Sequence, residues 1–182
     1  MLLKSFVEDQ QVSVCYPDNS ISETRFFPTD FFNSTNEDTY KLILLYFYPG
    51  DFTSICVTEL LAFHERYADF ESLNCRVVAC SVNGPEVHAA WKNTPKSKGG
   101  LGVQINHPVI ADTNRSLCRA FDVLLPNRNV ATRGWFLIHQ SGEILVESRS
   151  DTKTARDVSQ ILSMVSDVCK VLSTNRIYST QV

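Results

Sequence analysis

Leu42-Ile43-Leu44-Leu45-Tyr46-Phe47-Tyr48, then Pro49-Gly50-Asp51-Phe52-Thr53-Ser54-Ile55-Cys56, then Glu59-Leu60-Leu61-Ala62-Phe63-His64-Glu65-Arg66-Tyr67 spells a strand, a turn and a helix in residue types. The seven apolar residues run without alternation, which predicts a strand buried on both faces. Pro49 and Gly50 punctuate its end. The stretch from Glu59 is amphipathic with helical spacing. Cys56 therefore falls at the N-terminal end of a helix that leaves a central strand. Unpaired backbone N–H groups and the helix dipole favour negative charge there. A cysteine so placed tends toward the thiolate, the nucleophilic form.

Outward from this unit, residues 11–27 can form a short hairpin turning at Pro17-Asp18-Asn19. Residues 29–38 read as polar loop, and the helix after Cys56 should run to about Phe70. Residues 76–82 form a second buried strand. Pro85 opens a helix that ends near Asn93, with Pro95 as its stop. Residues 96–104 are a glycine-rich loop, 108–111 a short strand and 114–121 a short helix. Residues 134–139 and 143–148 pair through Gln140-Ser141-Gly142. A final amphipathic helix spans 154–172, with Val158, Ile161, Leu162, Val165 and Val168 facing inward. Strands alternating with helices, plus a hairpin, give an α/β layered domain with a mixed sheet flanked by helices. Residues 1–182 read as one domain with a tail from about residue 169.

A chain of 182 residues, 43% hydrophobic, buries one sizeable core. Its net charge of −3 supplies no basic field for nucleic acid. No apolar run approaches the length of a membrane span. The start turns acidic before a signal-peptide core can form, so a cytoplasmic protein is expected. Six cysteines, at 15, 56, 75, 80, 118 and 169, include no Cys-x-x-Cys pair. That argues against a zinc ribbon or a thioredoxin-type dithiol. The four histidines have no ligand spacing, so neither metal nor cofactor is expected.

Pro49-x-x-x-Thr53-x-x-Cys56 after a buried strand resembles the peroxidatic-cysteine loop of the peroxiredoxins. Thr58-Glu59, His88-Ala89-Ala90-Trp91, Gly99-Gly100-Leu101-Gly102 and Arg133-Gly134-Trp135-Phe136-Leu137-Ile138 resemble segments of the typical 2-Cys branch. The similarity covers residues 40–168. It implies a thioredoxin-like fold with insertions and a thiol-dependent peroxidase acting on hydrogen peroxide and small organic hydroperoxides. It implies a thioredoxin-like or other thiol reductant as partner, and a homodimer or a ring of dimers.

The resemblance also assigns roles. Cys56 is the peroxidatic thiol, Thr53 directs its hydroxyl at thiolate and peroxide, and Pro49 walls the pocket. Arg133 stabilises the thiolate by charge and hydrogen-bonds the peroxide. Glu59 pairs with Arg156 and orients Arg133. Two departures stand out. Val57 replaces the usual proline after the peroxidatic cysteine. The family's C-terminal Val-Cys-Pro and Tyr-Phe motifs are not found, which leaves Cys169 as the candidate resolving thiol. Cys75, Cys80 and Cys118 read as structural. The glycine segment resembles a motif tied in the family to slow local unfolding and over-oxidation. A competing reading is a redox-regulated chaperone-like or scaffolding oligomer with minor turnover. A general disulfide oxidoreductase is disfavoured, because Cys56 has no cysteine at 53 or 59.

Overall fold

The computed structural model describes residues 10–25, 31 and 41–179. Numbered along the chain, the strands are β1 (Gln11–Cys15), β2 (Ile21–Arg25), β3 (Leu42–Phe47), β4 (Cys75–Ser81), β5 (Val109–Ala111), β6 (Leu124–Leu125), β7 (Val130–Ala131), β8 (Arg133–His139) and β9 (Ile144–Ser150). The helices are α1 (Ser54–Glu65), α2 (Tyr67–Ser72), α3 (Pro85–Asn93), α4 (Ser116–Ala120) and α5 (Val158–Ser179). Seven strands make one sheet in the order β2-β1-β5-β4-β3-β8-β9. β3, β4 and β5 run parallel, while β1, β8 and β9 join antiparallel.

The unalternating run of β3 is explained by its place between β4 and β8. Successive side chains of a strand point to opposite faces, and both faces are covered. Ile43, Leu45 and Phe47 join Phe121 and Phe136 in one core. Leu44, Tyr46 and Tyr48 join Cys56, Phe63, Trp91 and Val165 in the other. Thus the strand that delivers the loop to Cys56 is held from both sides.

The expected hairpin at the start forms, with Cys15 opposite Ile21; its residues 26–27, and residues 29–30 and 32–38 of the expected loop, lie outside the described residues. Three differences from the expected elements exceed two residues. The helix after Cys56 is broken at Arg66, whose backbone leaves helical geometry at φ −100, ψ 9. The last helix starts at Val158 instead of 154, because Asp157 Oδ1 accepts the N–H groups of Ser159 and Gln160 and caps it there. It continues to Ser179, beyond the expected end at 172. The expected tail from residue 169 is helical as far as Ser179, and Cys169 lies inside the helix instead of at its end. A two-stranded ladder of β6 and β7 was not anticipated.

The glycine-rich loop is fastened to the C-terminal end of α3. Leu101 N–H donates to the Trp91 carbonyl at 3.1 Å, and Trp91 Nε1 donates to the Gly99 carbonyl at 3.0 Å. A Cβ on Gly100 would lie 1.9 Å from the Thr94 carbonyl oxygen, so only glycine fits that approach.

His107 is fully buried beside Tyr46, Phe63 and Tyr67, with its Nε2 2.7 Å from the Tyr46 hydroxyl. Burial pushes its pKa down to about 3. The unfolded chain takes up this proton near pH 6.5 and the folded chain does not. Stability therefore falls as pH drops below about 6.5, by roughly 1.4 kcal/mol per unit from this group. Comparing urea midpoints at pH 7 and 5 should show that slope in the wild type and less of it in His107→Gln. Equal slopes would remove His107 as its source.

Candidate active site

Cys56 is the third residue of α1 and completely buried. Its position in the first turn places its sulfur among N–H groups that have no partner within the helix. The N-terminal strand end of β8 supplies the cation. Arg133 Nη2 lies 3.4 Å from Cys56 Sγ, across 77 residues of sequence. Arg133 is itself 2% exposed, so its charge acts on the sulfur with little solvent screening.

Glu59, one turn after Cys56, organises both arginines. Its Oε2 accepts Arg133 Nε at 2.9 Å and Arg156 Nη2 at 3.2 Å. Its Oε1 accepts the backbone N–H and Nε of Arg156, each at 2.9 Å. Arg133 Nη1 also donates to the Thr152 carbonyl, and Arg156 Nη1 to the Gly134 carbonyl at 3.0 Å. The Arg156 guanidinium lies 4.9 Å over the Tyr46 ring. The site therefore holds two cations and one carboxylate, which leaves one positive charge in excess beside Cys56.

Thr53 is the residue before α1, with extended backbone, and its hydroxyl donates to the Gly50 carbonyl at 2.9 Å. With its proton so directed, its oxygen lone pairs stay available to a donor such as a hydroperoxide O–H. Pro49 is half-buried at the start of the turn. Val57 makes the first intrahelical bond, its N–H donating to the Thr53 carbonyl at 3.0 Å. A proline there would forgo that bond, so valine ties the turn more firmly by hydrogen bonding while leaving φ unconstrained.

Cys169 lies elsewhere. Its Sγ is 3.6 Å from the Leu73 carbonyl, just ahead of β4. It lines a cavity of about 480 Å³ with Lys41, Leu42, Leu73 and His139. Leu42 pairs with Cys75 at the starts of parallel β3 and β4, whereas Cys56 follows the other end of β3. The strand length, roughly 3.3 Å per residue, separates the two thiols. A disulfide needs Cα atoms within about 7 Å, so the geometry of one folded chain does not bring them together. Burial raises the thiols of Cys15, Cys75, Cys80 and Cys118 and, less deeply placed, Cys169.

Sequence reading missed three residues of this region: Tyr48, Asp51 and His88 form a buried hydrogen-bonded group beneath the loop. His88 and Asp51 are 37 residues apart, and no periodicity signals such a pair. Among the described residues, no three His, Cys, Asp or Glu side chains cluster as a metal site. Among the same residues, no helix is long and apolar enough to cross a membrane.

Residues 28–146 match the AhpC/TSA family. Peroxiredoxin-2 of Bos taurus is 41% identical over 125 residues, covering 69% of this chain but only 62% of its own length. A thioredoxin peroxidase of Trypanosoma brucei rhodesiense is 34% identical over 152 residues, covering 82% of this chain and 76% of its own. Among solved structures, the mitochondrial 2-Cys peroxiredoxin of Plasmodium falciparum superposes with a TM-score of 0.81 at 26% identity, covering 96% of this chain and 98% of its own.

Proposed function

Because the chain belongs to the AhpC/TSA family, in the company of peroxiredoxins, we propose that it is a thiol-dependent peroxidase acting through Cys56. Its thioredoxin-like α/β fold is that of its relatives. The observation that carries the proposal is the buried contact of Arg133 Nη2 with Cys56 Sγ, braced by Glu59 and Arg156.

The Cys56 thiolate attacks the terminal oxygen of a hydroperoxide in line with the O–O bond. The S–O bond forms, the O–O bond breaks, and the departing alkoxide or hydroxide takes a proton. Cys56 is left as a sulfenic acid. Arg133 stabilises the developing charge, and Thr53 accepts a hydrogen bond from the bound peroxide. A second thiol then displaces water from the sulfenate to give a disulfide. A thioredoxin-like or other thiol reductant restores both cysteines. Hydrogen peroxide and small organic hydroperoxides are the substrates. All six cysteines are free in the structure, which suits the reducing cytoplasm. Cell fractionation would distinguish that compartment from mitochondria, where one relative resides.

A homodimer, or a ring of dimers, belongs to the proposal. Phe52 in the Cys56 loop and Val87 on α3 are 46% and 38% exposed. β9 ends the sheet with one side unpaired among the described strands. Both features suit contact with a second copy. If Cys169 resolves Cys56, it does so from the partner subunit.

One equivalent of peroxide should then convert the protein to a covalent dimer on a non-reducing gel, with a Cys56–Cys169 peptide in the mass spectrum. Cys169→Ser should stay monomeric on the gel and complete one peroxide turnover without cycling. Normal cycling by Cys169→Ser would assign resolution to another thiol. Light scattering of the reduced protein showing only 20.5 kDa particles would exclude the dimer.

A further inference from the structure

Asp51 sits two residues beyond Pro49 and five before Cys56, and it is anchored at three atoms. Its Oδ1 accepts the Tyr48 hydroxyl at 2.7 Å. Its Oδ2 is 2.7 Å from His88 Nδ1, on α3. Its backbone N–H donates to Asn83 Oδ1 at 3.0 Å. The side chains of Asp51 and His88 are 0% and 1% exposed. His88 Nε2 is buried without a protein partner, so the ring is oriented from its Nδ1 side, by Asp51 and by the Tyr48 hydroxyl at 3.5 Å. Burial and the Asp51 carboxylate hold the Tyr48 ionisation far above its ordinary range, so Tyr48 remains a donor.

A second, independent observation lies at the next residue. Phe52 has φ +56, in the left-handed region that an aromatic side chain rarely occupies. Its ring is about half exposed and 6.1 Å from that of Trp91. The chain then returns to extended geometry at Thr53, whose hydroxyl reaches back to Gly50, and α1 begins. Backbone strain of this kind persists only where its surroundings over-determine it. Here the surroundings are the anchored Asp51 on one side and the first turn of α1 on the other.

We infer that Asp51 and His88, with Tyr48, are positioning residues that clamp the loop, hold Phe52 in its left-handed turn and keep the first turn of α1 wound with Cys56 facing Arg133. The consequence for catalysis rests on the peroxidase reading proposed above. The wound state favours attack on peroxide, whereas capture of the sulfenate by a distant thiol requires the turn to open. The clamp thus sets the division between the two steps. Loosening it slows the first, speeds the second and lowers the fraction of Cys56 over-oxidised to sulfinate under excess peroxide.

Hydrogen exchange followed by mass spectrometry on the reduced full-length protein tests the clamp without peroxide. In His88→Ala, amides of residues 50–58 should exchange about 10- to 100-fold faster, as expected for a lost buried charge-assisted hydrogen bond. Amides of β3 and β8 should keep their protection. His88→Asn, whose amide N–H replaces the Nδ1 donor, should return residues 50–58 to within about threefold of wild type. In parallel, sulfenylation of Cys56 by one equivalent of peroxide should slow about tenfold in His88→Ala. The sulfinate fraction at excess peroxide should drop. Wild-type exchange at residues 50–58 in His88→Ala overturns the inference, as does failure of His88→Asn to restore it. Should His88→Ala not fold, Asp51→Asn, which keeps the volume and loses a carboxylate acceptor, gives the same reading. Faster exchange in a protein that never consumes peroxide would overturn the peroxidase reading and leave the clamp standing.

Discussion

Replacing Cys56 by serine should reduce peroxide consumption to that of the protein-free mixture while the fold survives. The substitution exchanges one atom at a fully buried position, so the packing of α1 on β3 is little changed. What is lost is the nucleophile. A serine hydroxyl, even 3.4 Å from a guanidinium, carries no appreciable anionic population near neutral pH, and the reaction needs a thiolate as its nucleophile. The other five cysteines do not compensate, because burial raises those at 15, 75, 80, 118 and 169 away from the thiolate. Stopped-flow peroxide consumption, with circular dichroism as the control for folding, decides the matter. Consumption by Cys56→Ser at the wild-type rate would sink the assignment of the reaction to this site.

Glu59→Gln should damage both stability and activity. The carboxylate is 0% exposed and receives four donors: Arg133 Nε and, from Arg156, N, Nε and Nη2. Glutamine keeps the volume but offers only one oxygen, and its NH₂ faces a guanidinium. Two buried cations then lose their counter-charge. Removing one partner of a buried ion pair costs about 3–5 kcal/mol. For a chain of this size each kcal/mol moves the melting temperature by roughly 2–4 °C. A drop of about 6–20 °C follows. Arg133 would also lose the carboxylate that aims it at the sulfur, and misdirecting one such donor costs about 100-fold in rate. Calorimetry and the peroxide assay on the same preparation would test both. A melting temperature within 2 °C of wild type would mean that solvent, not Glu59, compensates these arginines.

The legible part of the site is the part written locally. Pro49, Thr53 and Cys56 fall at the expected ends of β3 and α1 because a turn, a cap and a first helical turn need only neighbouring residues. Pro85 and Asn93 bound α3 as read, since proline suits a first helical turn and Pro95 prevents continuation. Arg133 and Arg156, by contrast, have no local signal. An arginine at a strand start is ordinarily solvated, and only resemblance pointed to these two. The Asp51–His88 pair has no local signal, because it joins the loop after β3 to α3 across 37 residues. Because α5 runs on to Ser179, Cys169 lies within it and not at its end. Past the expected end at residue 172, the hydroxyls of Ser173 and Thr174 bond to the carbonyls of Cys169 and Lys170, and the helix continues.

By itself the sequence determined that a doubly buried strand would hand its chain to a helix through a proline–glycine turn, and that Cys56 would stand at that helix's start. Hydrophobic periodicity and turn chemistry act within a few residues, so those features needed no partner. Only the tertiary structure decided that Arg133 would meet Cys56 across 77 residues, that Glu59 would hold Arg133 and Arg156 across 74 and 97, and that Cys169 would lie at the far end of the sheet. Buried charges are fixed by mutual neutralisation and hydrogen bonding in a low-dielectric interior. The partners that satisfy them are chosen by which strand ends the sheet order brings together.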